Sequence, residues 1–193
     1  RSRADAAAGY AGCKRATSAR AAEGSVGAGT GAVVGKVFGH EHAMKGGLGT
    51  ASLTVDGVTV GAVIACNALG DVLDPFTGEL LAGARSTSGT QLRNTREALL
   101  AGQEPRPVLA GSNTTIGVVA TDAKITKAQA HRLAVVAHDG LARSIHPVHT
   151  SLDGDAVFTV STGDREEEQL VLETAAVRVV AEAVRRAVLP PAR

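Results

Sequence analysis

The sequence predicts an α+β chain, and three observations carry that prediction. Two β-rich runs, residues 50–56 and 58–65, meet at Asp56-Gly57, a strong hairpin signal. Thr126-Lys127-Ala128-Gln129 forms a capping box. It opens an amphipathic helix to about Ser144, with Leu133, Val136, Ala137 and Leu141 on one side. Two further β-branched runs, residues 116–121 and 156–160, alternate with helical segments. The 193 residues suffice for one domain with a substantial core. That core must be built from Ala, Val, Leu and Ile, because 44% of the chain is hydrophobic but only 2% aromatic, with 23 glycines.

The elements follow in order. Residues 4–22 are alanine-rich and read as a helix ended by Glu23 and Gly24. The glycine-dense stretch 24–36 comes next. Gly27, Gly29 and Ala32 match the G-x-G-x-x-G/A dinucleotide pattern, but a helical segment precedes them where that motif needs a strand. A P-loop also fails, because Lys36 is followed by Val37. The stretch reads as backbone that approaches something closely, with Lys36 at its end. His40-Glu41-His42 lacks a third ligand nearby and reads as a solvated loop. The run 58–66 is apolar almost throughout, predicts burial on both faces, and exits at Asn67, locally a turn residue.

Residues 82–111 are rich in Ser, Thr, Gly, Gln and Pro, with a short helix around 93–101. They read as an exposed linker, a setting that suits chain cleavage. It leads into Gly111-Ser112-Asn113-Thr114-Thr115 and then the strand at Ile116. A cut between Asn113 and Thr114 would give Thr114 a free α-amine beside its own hydroxyl, the N-terminal form of an activated nucleophile. The plain alternative is a polar turn entering a core strand. Asn113-Thr114-Thr115 also spells a glycosylation sequon, without any secretion signal around it. His146-Pro147 breaks the helix that precedes it, and Asp153-Gly154-Asp155 has turn chemistry before the strand 156–160. Gly163 then turns the chain into the acid cluster 164–168. That cluster suits the start of a last helix, which runs to about Val188.

Charge and cysteine content narrow the function classes. Twenty basic and nineteen acidic residues leave a formal net charge of +1, which gives no footprint for nucleic acid or an anionic membrane. Cys13 and Cys66 sit in apolar contexts and read as buried, reduced residues. With no signal-peptide pattern and no bilayer-length apolar run, the expected location is the cytoplasm.

Several stretches, taken in order, resemble the DmpA-like self-processing peptidases. They are 23–31, Lys36, 46–52, Asn67, 113–118 and Asp153-Gly154-Asp155. No one motif is specific; their shared order over nearly all of residues 10–185 carries the resemblance. It implies an αββα sandwich like that of the N-terminal nucleophile hydrolases, and self-cleavage between Asn113 and Thr114. Residues 1–113 would then be the remainder of a larger subunit and 114–193 a smaller one. In the threonine-nucleophile branch, which includes the nylon-oligomer endo-hydrolase, Lys36, Asn67, Asp153 and Asp155 join Thr114. By that match Asn67 donates to the oxyanion, and Lys36 assists proton transfer or holds charge near the Thr114 hydroxyl. Asp153 and Asp155 orient the Thr114 amine and keep the lysine charged.

The resemblance further implies a small peptide or amide substrate, no cofactor, and a homo-oligomer of cleaved protomers. It also implies a region upstream of Glu23, so the chain is expected to be a fragment. Three other readings stand beside it: an acyltransferase of the ornithine-acetyltransferase type, a nucleotide-binding module, and a non-catalytic homologue.

Overall fold

The computed structural model describes residues 5–107 and 111–189. Helix α1 (Ala6–Lys14) is capped by Asp5, whose carboxylate accepts the Ala8 N–H. It is shorter than the expected 4–22 and none of its residues is buried. Alanine propensity alone barely holds an isolated helix, and the residues that would extend this one through Thr17-Ser18 are exposed. Cys13 rides on it exposed, contrary to the expectation, while Cys66 is buried.

The glycine-dense stretch makes one 3₁₀ turn at Gly27–Gly29, with Gly29 close against the backbone of Gly47 and Leu48. Strands β1 (Val33–Val34) and β2 (Met44–Lys45) pair with each other. Then β3 (Gly47–Val55) and β4 (Val58–Cys66) form the expected hairpin, with Asp56 and Gly57 at φ 46° and 83°. Positive φ at both central residues is what a tight two-residue turn demands. Strands β5 (Asp71–Leu73) and β6 (Leu80–Ala82) and helix α2 (Thr95–Leu100) follow. Last come β7 (Ile116–Ala123), α3 (Lys127–Ala142), β8 (Ile145–His146), β9 (Ala156–Arg165) and α4 (Gln169–Val188). Thr126 and Gln129 make both halves of the capping box.

The main sheet has the order β3-β4-β7-β9, with only the β7–β9 pair parallel. Helices α3 and α4 cover one of its faces. There Val58, Val60, Ala62, Ile64 and Val119 meet Leu133, Ala137 and Leu141 of α3 and Val179, Val180 and Val184 of α4. Each large aliphatic side chain so buried contributes roughly 1.5–3 kcal/mol. Gly47 and Gly49 let α4 lie directly on β3, because a Cβ at either would collide with the carbonyl of Ala187 or Ala183.

The other face is open among the described residues. Val63, Val118 and Phe158 sit side by side across three strands, and Phe158 is 63% exposed. The prediction that β4 is buried on both faces is therefore corrected: alternate residues of one apolar run meet opposite surroundings.

Two other departures have local causes. The segment after Ala82 is tied down rather than a loose linker. Buried Asp71 accepts the N–H groups of Ala84 and Thr95 and the Thr95 hydroxyl, and Ala84 and Ala98 pack with Val37, Phe38 and Leu69. Residues 108–110 of that segment lie outside the described residues. Strand β9 runs straight through Gly163, whose missing side chain admits the backbone of Asp122. No helix among the described residues is long and apolar enough to cross a membrane.

Candidate active site

Sheet register brings the site together. Ala65 of β4 pairs with Ile116 of β7, and Ile116 pairs with Ala156 of β9. The end of one strand and the beginnings of two others therefore share one edge of the sheet. Asn67 follows β4 by one residue, Thr114 precedes β7 by two, and Asp155 immediately precedes β9. Lys36 arrives from the loop after β1, where its main-chain N–H bonds to the Leu69 carbonyl.

Lys36 is fully buried. Its ammonium donates to the Asn67 carbonyl at 2.8 Å, the Asn67 Oδ1 at 3.2 Å and the Ser112 carbonyl at 3.0 Å. Three donors meet three acceptors, which suits the protonated form. Burial nonetheless lowers its pKa to about 8, against the opposing fields of the Asp153 and Asp155 carboxylates. The buried Cys66 thiol beneath the site is pushed up to about 12 by the same desolvation, so it stays neutral.

Asn67 is a hub rather than a turn residue. Its Oδ1 accepts the Val33 N–H at 3.1 Å, and its Nδ2 donates to the Ser112 carbonyl at 2.9 Å. Its own carbonyl also accepts the Thr114 N–H at 3.2 Å. The Asn113–Thr114 peptide is thus held from one side by Asn67, and from the other by Gly154, whose N–H donates to the Asn113 carbonyl at 2.9 Å. The Asn113 side chain is buried, with its amide 3.4 Å from the Leu152 carbonyl.

The two carboxylates of Asp153-Gly154-Asp155 do different work. Asp155 Oδ1 accepts the Thr115 N–H at 2.8 Å, while its Oδ2 pairs with His149 Nδ1 at 3.0 Å. Asp153 Oδ2 instead accepts the Thr150 N–H and hydroxyl, closing its own turn. Of the sequence-predicted residues, Lys36, Asn67 and the Thr114 main chain are joined by hydrogen bonds, and Asp155 holds the next residue, Thr115. Asp153 acts on this set only through its field and through the loop that carries Gly154. Sequence reasoning missed Gly154, the Ser112 carbonyl and His149. The first two act through main-chain atoms, which leave no mark on residue type.

The chain is similar to known proteins in both sequence and fold. The sequence profile of Peptidase family S58 matches residues 1–191. A Mycobacterium leprae protein described as an uncharacterized aminopeptidase is 47% identical over 75% of this chain and 38% of its own length. The 6-aminohexanoate-oligomer endohydrolase of a Kocuria species is 30% identical over 74% of this chain and 40% of its own. This chain thus spans well under half the length of either relative. The fold is similar to that of the L-aminopeptidase D-Ala-esterase/amidase of Ochrobactrum anthropi, a variant of the Ntn hydrolase fold. That structure has a TM-score of 0.59 at 23% identity, covering 89% of this chain and 46% of the other. With its α+β fold and a profile match over nearly its whole length, the chain belongs to peptidase family S58.

Proposed function

We propose that this chain carries the self-processing centre of an amide and peptide hydrolase, with Thr114 as its N-terminal nucleophile. The observation that carries the reading is the bond from the Thr114 N–H to the Asn67 carbonyl, beside the buried Lys36 ammonium. The amine released by cutting Asn113–Thr114 is born inside the site. There it can take the Thr114 hydroxyl proton as the oxygen attacks a substrate carbonyl, forming an ester acyl-enzyme and expelling the substrate amine with that proton. Water then attacks the ester, restoring the hydroxyl and releasing a carboxylic acid.

The surrounding groups have matching tasks. The Asn67 side-chain amide donates to Ser112 in the uncut chain, and becomes an oxyanion donor once the new C-terminal end withdraws. Lys36 supplies positive charge next to that amide. Asp155 positions the Thr114–Thr115 backbone, and Asp153 with Asp155 helps hold Lys36 protonated. Substrates of this kind are small peptides or short amide oligomers.

The test is intact mass under denaturing conditions for the wild type and Thr114→Ala, together with hydrolysis of aminoacyl p-nitroanilides. The expected result is an 80-residue fragment beginning at Thr114 in the wild type and a whole chain in the variant. An uncut wild-type chain, or a variant that still cuts, refutes the reading.

A further inference from the structure

The oxyanion donor proposed for Thr114 chemistry, the Asn67 side chain, is occupied elsewhere in the uncut chain. Its Nδ2 faces the Ser112 carbonyl, one residue before the carbonyl that must react. Lys36 is spent on the same Ser112 oxygen and on Asn67. Self-cleavage therefore needs a different group on the Asn113 oxygen. The main-chain N–H of Gly154 is already there, at 2.9 Å.

We infer that Gly154 is the oxyanion donor of the self-cleavage step, an assignment that rests on the proposed cut at Asn113–Thr114. The chemistry balances on the atoms present. Thr114 Oγ1 bonds to the Asn113 carbonyl carbon, and the carbonyl π electrons move onto its oxygen, where the Gly154 N–H receives the charge. The carbon–nitrogen bond then breaks, the hydroxyl proton passes to the Thr114 nitrogen, and an ester joins Asn113 to Oγ1. Water hydrolyses that ester, leaving an Asn113 carboxylate and a free Thr114 hydroxyl and amine. Asn67 holds the leaving nitrogen from the opposite side through its carbonyl. The scissile peptide is gripped at both its oxygen and its nitrogen before any bond changes.

A second observation explains why residue 154 is glycine. A Cβ built there would sit 2.9 Å from Thr114 Oγ1 and 3.7 Å from the Asn113 oxygen. The bare Cα lets the strand entrance lie against both the attacking atom and the atom that takes the charge. The two flanking aspartates then divide the labour of holding it. Asp153 closes the turn behind the glycine, and Asp155 pins the chain after Thr114. Oxyanion stabilisation thus passes between two donors, Gly154 for the single cut and the Asn67 amide for turnover.

The experiment replaces the Gly154 amide by an ester, using glycolic acid at position 154 of the full precursor in cell-free translation. This deletes one N–H and adds no side chain. Appearance of the fragment starting at Thr114 is followed by intact mass. Cleavage about 100-fold slower than wild type is expected, the usual effect of losing one oxyanion donor. Gly154→Ala, which keeps the N–H but places a methyl group against Oγ1, is expected to slow the cut at least 10-fold. It tests the close fit of residue 154 against the hydroxyl, and a wild-type rate there removes that part of the argument. A wild-type rate in the folded ester variant, which lacks the N–H, overturns the assignment. A wild-type chain that never cuts refutes instead the self-processing reading beneath it.

Discussion

The helix-covered face of the sheet and the edge that carries Thr114 are built from the same strands but held by opposite means. Between β4 and α4 the contacts are aliphatic, interchangeable in kind and indifferent to direction. At the edge, nearly every contact is a hydrogen bond with one donor and one acceptor, and a cation is buried among them without a carboxylate at bonding distance. The first arrangement tolerates exchange of one apolar group for another of similar volume. The second does not, because each lost partner leaves another polar group unsatisfied. Stability and chemistry are thereby separated along single strands: β4 supplies Ile64 to the core, and its continuation supplies Asn67 to the site.

The largest effect that sharpens this contrast is expected at Lys36. Lys36→Met should slow self-cleavage by about 100-fold or more, since it removes the charge shared by Asn67 and Ser112. The wild-type rate should also fall as pH rises through about 8, where the buried ammonium loses its proton and its third donor. The sign follows from the lowered pKa: the charged form persists below that value and is lost above it. A rate that climbs steadily through this range would instead make neutral Lys36 a base and remove its role as a fixed positive charge.

A smaller effect separates the two aspartates. Asp155→Asn should slow cleavage about 10-fold, because the anion accepting the Thr115 N–H becomes a neutral amide that also faces His149. Asp153→Asn, whose side chain bonds only within its turn and reaches Lys36 only through its field, should change the rate by no more than about 3-fold and cost about 1 kcal/mol in stability. Equal losses of rate would erase the distinction between them. Denaturant unfolding then tests the sheet itself. Ile64→Ala should cost about 2–5 kcal/mol, while its neighbour Val63→Ala, on the open face, should cost less than about 1 kcal/mol.

The same contrast explains what the residues disclosed in advance. The hairpin at Asp56-Gly57 and the capping box at Thr126 were legible because each is a local pattern with a local cause. Thr114 was legible as a hydroxyl residue where turn chemistry stops and a strand begins. Resemblance added Lys36, Asn67, Asp153 and Asp155, which local reading alone left as loop and turn residues. What stayed hidden was non-local or belonged to the main chain. Whether Val63 faces core or solvent depends on what lies across the sheet, not on β4. Gly163 and Gly154 look alike as turn glycines, yet one admits a neighbouring strand and the other admits the Thr114 hydroxyl. Residue type records that space is needed and not what fills it.

The two glycines of β3 beneath α4 carry a consequence of this kind. Their fit to the helix is specified by side chains that do not exist, so the alignment is all-or-none. Sliding the strand two places along the helix would bring Ala51 beneath a backbone that now rests on Gly49. A core of soft, exchangeable aliphatics would accept many offsets. The glycine track removes that freedom, acting as a vernier that sets the sheet, and hence the edge bearing Asn67 and Thr114, at one position against the helix layer.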